Sequence, residues 1–103
     1  NVPLAAGATG AQFRAAVTEN WLPALEQFKP ELLLISAGFD AHREDDMGGL
    51  ALREEDYLWI TETLKRTAID HANGRVVSAL EGGYALHALG RSALAHIKAL
   101  SGL

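Results

Sequence analysis

Two short stretches carry residue types able to do chemistry. They are Ser36-Ala37-Gly38-Phe39-Asp40-Ala41-His42-Arg43-Glu44-Asp45-Asp46-Met47-Gly48-Gly49 and Leu80-Glu81-Gly82-Gly83-Tyr84. Asp40 offers a carboxylate, which is a ligand for a hard or borderline metal ion. Tyr84 offers a phenol that can donate a hydrogen bond to a developing oxyanion. Gly82 and Gly83 let a backbone come close to a ligand or turn with positive φ. Taken singly, each residue has a plainer explanation: a loop Asp caps a turn, and a Tyr packs with its hydroxyl satisfied. The functional meaning depends on whether the fold brings the two stretches together.

The surrounding pattern predicts that it does. Residues 1–9 read as a loop. Phe13, Val17, Trp21, Leu22 and Leu25 follow helical spacing over residues 10–28, with Thr9 as N-cap, a kink at Pro23 and a stop at Lys29-Pro30. The unbroken apolar run at 31–36 has the pattern of a strand buried on both faces. After the loop at 37–51, a helix is expected over 54–71. Glu54, Glu55 and Asp56 at its start suit the helix dipole, and Asn73-Gly74 stops it. Residues 75–80 form a second strand. A last helix over 86–100 presents Leu86, Leu89, Ala93, Ile97 and Leu100 inward. Trp21 and Trp59 fall on apolar helix faces and are expected in the core. His71, His87 and His96 lie on or beside helices, where surface or helix-end positions are the default.

The order is α-β-α-β-α, and a helical crossover of this length makes the strands parallel with a right-handed connection. In open parallel sheets ligands bind beyond the carboxyl ends of the strands, and both stretches fall at that edge. Two apolar strands with bare edges favour association. The sequence therefore reads as a slice of a larger α/β domain that self-associates through its sheet edges.

Composition excludes other classes. Of 103 residues, 49% are hydrophobic and 21% charged, a globular profile. Nine basic residues face thirteen acidic ones, for a net charge of −4. Phosphate-driven nucleic-acid binding and membrane-surface binding both need a positive excess, so neither is expected. The longest apolar run, Leu32-Leu33-Leu34-Ile35, is far below the ~20 residues of a membrane span. The absence of Cys excludes disulfides and thiolate metal sites and fits a cytoplasmic protein. The chain starts at Asn1 without Met or a signal-peptide pattern, and is expected to be a piece of a longer polypeptide.

The motifs SAGFDAHREDDMGG and LEGGY, separated by a helix and a strand, resemble the C-terminal part of the histone deacetylase and acetylpolyamine amidohydrolase superfamily, bacterial members above all. The resemblance spans Pro3 to Leu103, so residues 1–103 read as the C-terminal part of one deacetylase domain. It implies a three-layer, parallel-sheet arginase-deacetylase fold, of which this chain is a partial segment. It also implies zinc and an N-acetylated amine substrate, either acetyl-lysine or an acetylpolyamine. By the same resemblance Asp40 is a zinc ligand and Tyr84 the catalytic oxyanion donor. Met47, Gly82 and Gly83 line the substrate channel. His42 is then a solvated loop residue at the site mouth, although Asp40-Ala41-His42 spells Asp-x-His. Asp46 departs from the Pro that related sequences often carry. The family's remaining Asp-x-His ligands and its His-His base have no counterpart among His42, His71, His87 and His96. The chain alone is expected to be inactive and to hold zinc weakly. Two alternatives stay open: a non-catalytic self-associating fragment, and a small metal- or ligand-binding module built on Asp40, His42 and nearby carboxylates.

Overall fold

The computed structural model describes residues 1–102; Leu103, the last residue of the expected span, lies outside the described residues. The first helix opens at Thr9, whose N–H donates to Gln12 Oε1 at 2.9 Å and so satisfies a donor that helix geometry leaves free. The chain then runs through α1 (Gly10–Ala16), a π-helical turn (Val17–Trp21) and α2 (Leu22–Phe28). Pro23 lacks an N–H and its ring crowds the preceding turn. The π turn directly before α2 accommodates it, where a simple kink was expected. Lys29 ends the helix in the left-handed conformation, just ahead of Pro30.

The strands are β1 (Leu33–Ala37) and β2 (Val76–Leu80), parallel and in register from Leu33↔Val76 to Ala37↔Leu80. β1 starts two residues later than predicted. The reason is local: Glu31 O is taken by the Arg75 side chain at 2.8 Å, and the first rung forms at Leu33 N–H to Arg75 O. Between the strands runs α3 (Glu54–His71), and α4 (Leu86–Ser101) follows β2. Asp56 opens α3 by accepting the Arg53 N–H at 2.9 Å, and it also holds Arg14 of α1. Asn73 and Gly74 close the helix end with positive φ, as expected.

Both α3 and α4 cover the same face of the sheet. Leu33, Leu64, Ala68 and Ala72 form one core cluster; Ala37, Phe39, Leu52 and Tyr57 form the other. Side chains alternate along a strand, so the opposite face carries Leu34 and Val77, which remain exposed (72% for Leu34). Burial of the strands on both faces is therefore not met within this chain, because both helices lie on one side. Trp21 is likewise not core but exposed, while Trp59 is half-buried against Phe13 and the Arg14 guanidinium. No helix among the described residues is long and apolar enough to cross a membrane.

Of the expected inward stripe of α4, Leu89 and Ala93 pack against the second core cluster, but the rest of the face differs. Leu86 and Ile97 are exposed, and Ala88, Ser92, His96 and Ala99 are buried instead. Small side chains at this spacing let α4 lie close to its neighbours. His96 is thus a core residue, not a surface one. Thr61 Oγ1 donates to Tyr57 O at 2.6 Å, so it accepts from His96 Nδ1–H at 2.7 Å. That leaves Nε2 as the acceptor for the Ser78 hydroxyl at 2.7 Å. Burial lowers the His96 pKa from its ordinary 6.5. The unfolded chain then binds more protons just below that value, so stability is full above pH 6.5 and declines as pH falls towards the folded-state pKa. Thermal melts of this chain between pH 8 and 5 will show a falling midpoint, and His96→Gln will flatten the part of that fall between pH 7 and 6.

Candidate metal and oxyanion site at the strand ends

Past the last paired residues the ladder continues through the loops. Ala37 O accepts from Glu81 N–H at 2.8 Å, and Phe39 N–H donates to Gly82 O at 2.8 Å. These two bonds bring both chemistry-bearing stretches to one edge, as predicted. The Asp40 carboxylate lies against Gly82: a Cβ built there would sit 2.9 Å from Asp40 Cγ and 3.0 Å from each carboxylate oxygen. Gly82 thus provides space for the carboxylate. Gly83 has φ of +141°, a conformation that L side chains rarely adopt. Asp40 enters no hydrogen bond or ion pair among the described residues, so its oxygens are uncommitted. Tyr84 is 60% and Met47 71% exposed, both at the rim of the same edge.

Asp45 holds this rim together, and sequence reasoning passed over it. Its buried carboxylate accepts from Met47 N–H at 2.9 Å through Oδ1, and from Tyr84 N–H at 2.7 Å and Ala85 N–H at 3.0 Å through Oδ2. One side chain therefore fixes the backbone of Met47 and of Tyr84. These N–H bonds, from Tyr84 first and then Met47, lower the Asp45 pKa. The i to i+2 bond to Met47 is an Asx turn, which an Asp at a loop position can signal in sequence. The bonds from Tyr84 and Ala85 span about forty residues and have no local signal.

His42 is a correction. It is 1% exposed, not solvated: Nδ1 accepts the Glu44 N–H at 3.1 Å and Nε2 donates to Glu54 Oε2 at 3.1 Å. The physical reason is that Arg43 N–H and Leu52 O, with Ala41 O and Leu52 N–H, pair the loop with itself and turn the ring inward. Arg91 of α4 pairs with both Glu54 and Glu44, and its guanidinium pushes the Glu54 pKa down to about 2. His42, Glu44 and Glu54 place ligand atoms within 4.8 Å of one another. Their carboxylates already hold a cation, Arg91, so this cluster is an ion-pair network joining the loop to α3 and α4. His71 lies at the end of α3 bonded to Glu26, and His87 is exposed near the start of α4, as expected.

A test for zinc rests on these donors. The free carboxylate of Asp40 in its glycine-walled niche fits one ligand position. A catalytic zinc takes three protein ligands, and the only other clustered donors among the described residues are those engaged by Arg91. The residues present fit a share of a zinc site.

The fold and this edge define a class: an α/β segment with a carboxylate and a phenol beyond the ends of parallel strands. Residues 1–100 match the Histone deacetylase domain family, and the chain belongs to it. It is 36% identical over 103 residues to the histone deacetylase-like amidohydrolase of Pseudomonas aeruginosa, covering all of this chain and 27% of that protein. It is 45% identical over 101 residues to type-2 histone deacetylase 1 of Dictyostelium discoideum, covering 98% of this chain and 7% of that protein. Among solved structures, the HDA15 HD domain matches with a TM-score of 0.90 at 36% identity over 99% of this chain and 28% of that one. The histone deacetylase Clr3 matches at 0.89 and 33% identity over 100% of this chain and 17% of that one. The chain thus spans well under a third of these relatives.

Proposed function

We propose that this chain supplies the C-terminal part of the active site of a zinc-dependent deacetylase acting on N-acetylated amines. The observation that carries this reading is the uncommitted Asp40 carboxylate, set in the niche beside Gly82 at the strand edge that also bears Tyr84. Zinc, when bound, supplies Lewis-acid polarisation of the acetyl carbonyl and a water of lowered pKa. Asp40 holds the metal as one of its ligands. Tyr84 donates its O–H to the carbonyl oxygen as negative charge gathers there, and so stabilises the transition state more than the ground state. Asp45 keeps Tyr84 in place through the backbone. Gly82, Gly83 and the exposed Met47 border the entry for the acyl group.

The test is a graft, with residues 1–103 replacing the matching segment of the Pseudomonas aeruginosa amidohydrolase. The grafted domain will release acetate from an N-acetyl-lysine peptide, lose that activity to a chelator and regain it with zinc. A folded, zinc-loaded graft that releases no acetate from either acetyl-lysine or acetylpolyamine substrates would falsify the reading. In the same graft Asp45→Ala will lower kcat by about 10²-fold, the size of effect that a 1 Å misplacement of a catalytic group produces. Asp45→Asn, which keeps one carbonyl acceptor, will recover part of it. Equal activity in all three proteins removes Asp45 as a positioning residue.

A further inference from the structure

The Asp40 side chain makes no hydrogen bond or ion pair among the described residues, so the aim of its carboxylate is set by the backbone on either side. Upstream, Phe39 N–H is anchored on Gly82 O at 2.8 Å. Over the Asp40 carbonyl Gly48 packs so closely that a Cβ there would overlap the oxygen. Downstream, the anchor is a side chain. His42 is buried with both ring nitrogens engaged, Nδ1 by the Glu44 N–H and Nε2 by Glu54 Oε2, each at 3.1 Å. Its carbonyl accepts the Asp45 N–H at 2.9 Å. One imidazole therefore ties together the turn after Asp40, the start of α3 and the residue that holds Tyr84. Glu54 is oriented in turn by Arg91 of α4.

The bonds of the ring decide between its possible roles. The Glu44 amide proton occupies the Nδ1 lone pair, so the neutral ring carries its proton on Nε2 and donates it to Glu54. A metal at either nitrogen would break one of these bonds. A ring closed to solvent is also out of reach of a substrate proton. As mere filling an imidazole is a poor choice, because burying its polar atoms costs free energy unless each is bonded. We propose that His42 is a positioning residue for the metal-binding carboxylate: pinned by Glu54 and Arg91, it fixes the turn two residues beyond Asp40 and keeps the carboxylate aimed at the zinc. It rests on the zinc role proposed above for Asp40. Groups around a metal site that orient its ligands commonly act this way. Here the constraint runs through two peptide units, not through a bond to the carboxylate itself.

Zinc affinity of the graft described above, measured by competition with a chromophoric chelator, tests the inference. His42→Ala will weaken zinc binding by about 10–100-fold, the cost of losing a group that orients a ligand. His42→Asn, whose amide oxygen can still accept the Glu44 N–H, will recover part of the loss. Glu54→Ala keeps the imidazole and removes its acceptor at a less buried position, so it serves where His42→Ala does not fold; it will weaken zinc binding by about tenfold. Added to Asp40→Ala, neither change will weaken the residual zinc binding further. A role in folding alone does not produce that coupling. Unchanged zinc affinity in the folded variants, or an equal loss with and without the Asp40 carboxylate, overturns the proposal. If such a graft still releases acetate, the deacetylase reading stands without it. The predicted losses in a graft that binds zinc but releases no acetate do the reverse. A second zinc per graft that disappears in His42→Ala would make His42 a ligand, and also overturns the proposal.

Discussion

Asp40→Ala in the grafted domain will strip the zinc and the activity together. A catalytic zinc held by three protein ligands keeps two when one carboxylate is removed. Loss of an outer-shell partner alone costs about 10–100-fold in affinity or activity, so loss of a direct ligand exceeds that. Zinc content per chain, measured after dialysis against a weak chelator, will fall from near one to near zero, and acetate release will fall with it. Folding is not at risk from this change, since the Asp40 side chain makes no hydrogen bond or ion pair among the described residues. Full zinc occupancy in Asp40→Ala would show that the carboxylate is no ligand. The niche beside Gly82 would then need another explanation. Gly82→Ala gives a companion result: its Cβ would meet the carboxylate at about 3.0 Å and displace it, so zinc affinity should fall without removal of any ligand.

Tyr84→Phe in the same graft should leave zinc in place and lower kcat by about 10²–10³-fold, the cost of losing one oxyanion donor. KM for the acetylated peptide should change little, because the bond strengthens only as charge develops on the carbonyl oxygen. The contrast with Asp40→Ala is the informative part: one variant loses metal and rate, the other rate alone. An unaltered kcat would remove Tyr84 from the chemistry and leave it an exposed aromatic at the rim. The fold loses no contact that depends on the phenol oxygen, since Tyr84 is held through its backbone by Asp45.

The sequence by itself determined the element order, the parallel pairing and the edge at which chemistry gathers. These follow from local signals. A short apolar run such as Leu32 to Ile35, bounded by Pro30 and Gly38, reads as a strand, Asn73-Gly74 tolerates the left-handed turn that stops a helix, and a helical crossover makes two strands parallel. The GFDA and GGY motifs carried the family because both lie at strand ends with a fixed spacing. Tertiary structure alone decided the rest. Whether His42 faces water or the core depends on the Leu52 backbone and on Glu54, and whether His96 is a surface residue depends on Ser78 and Thr61. The α4 stripe held at Leu89 and Ala93 but misled at Leu86 and Ile97, which stay exposed while Ala88, Ser92, His96 and Ala99 are buried. Asp45 escaped notice because two of its three bonds reach Tyr84 and Ala85 from about forty residues away. Periodicity reports which side of an element is apolar. It does not report which distant polar group completes a buried hydrogen bond, since that choice is made by chain folding and not by local spacing.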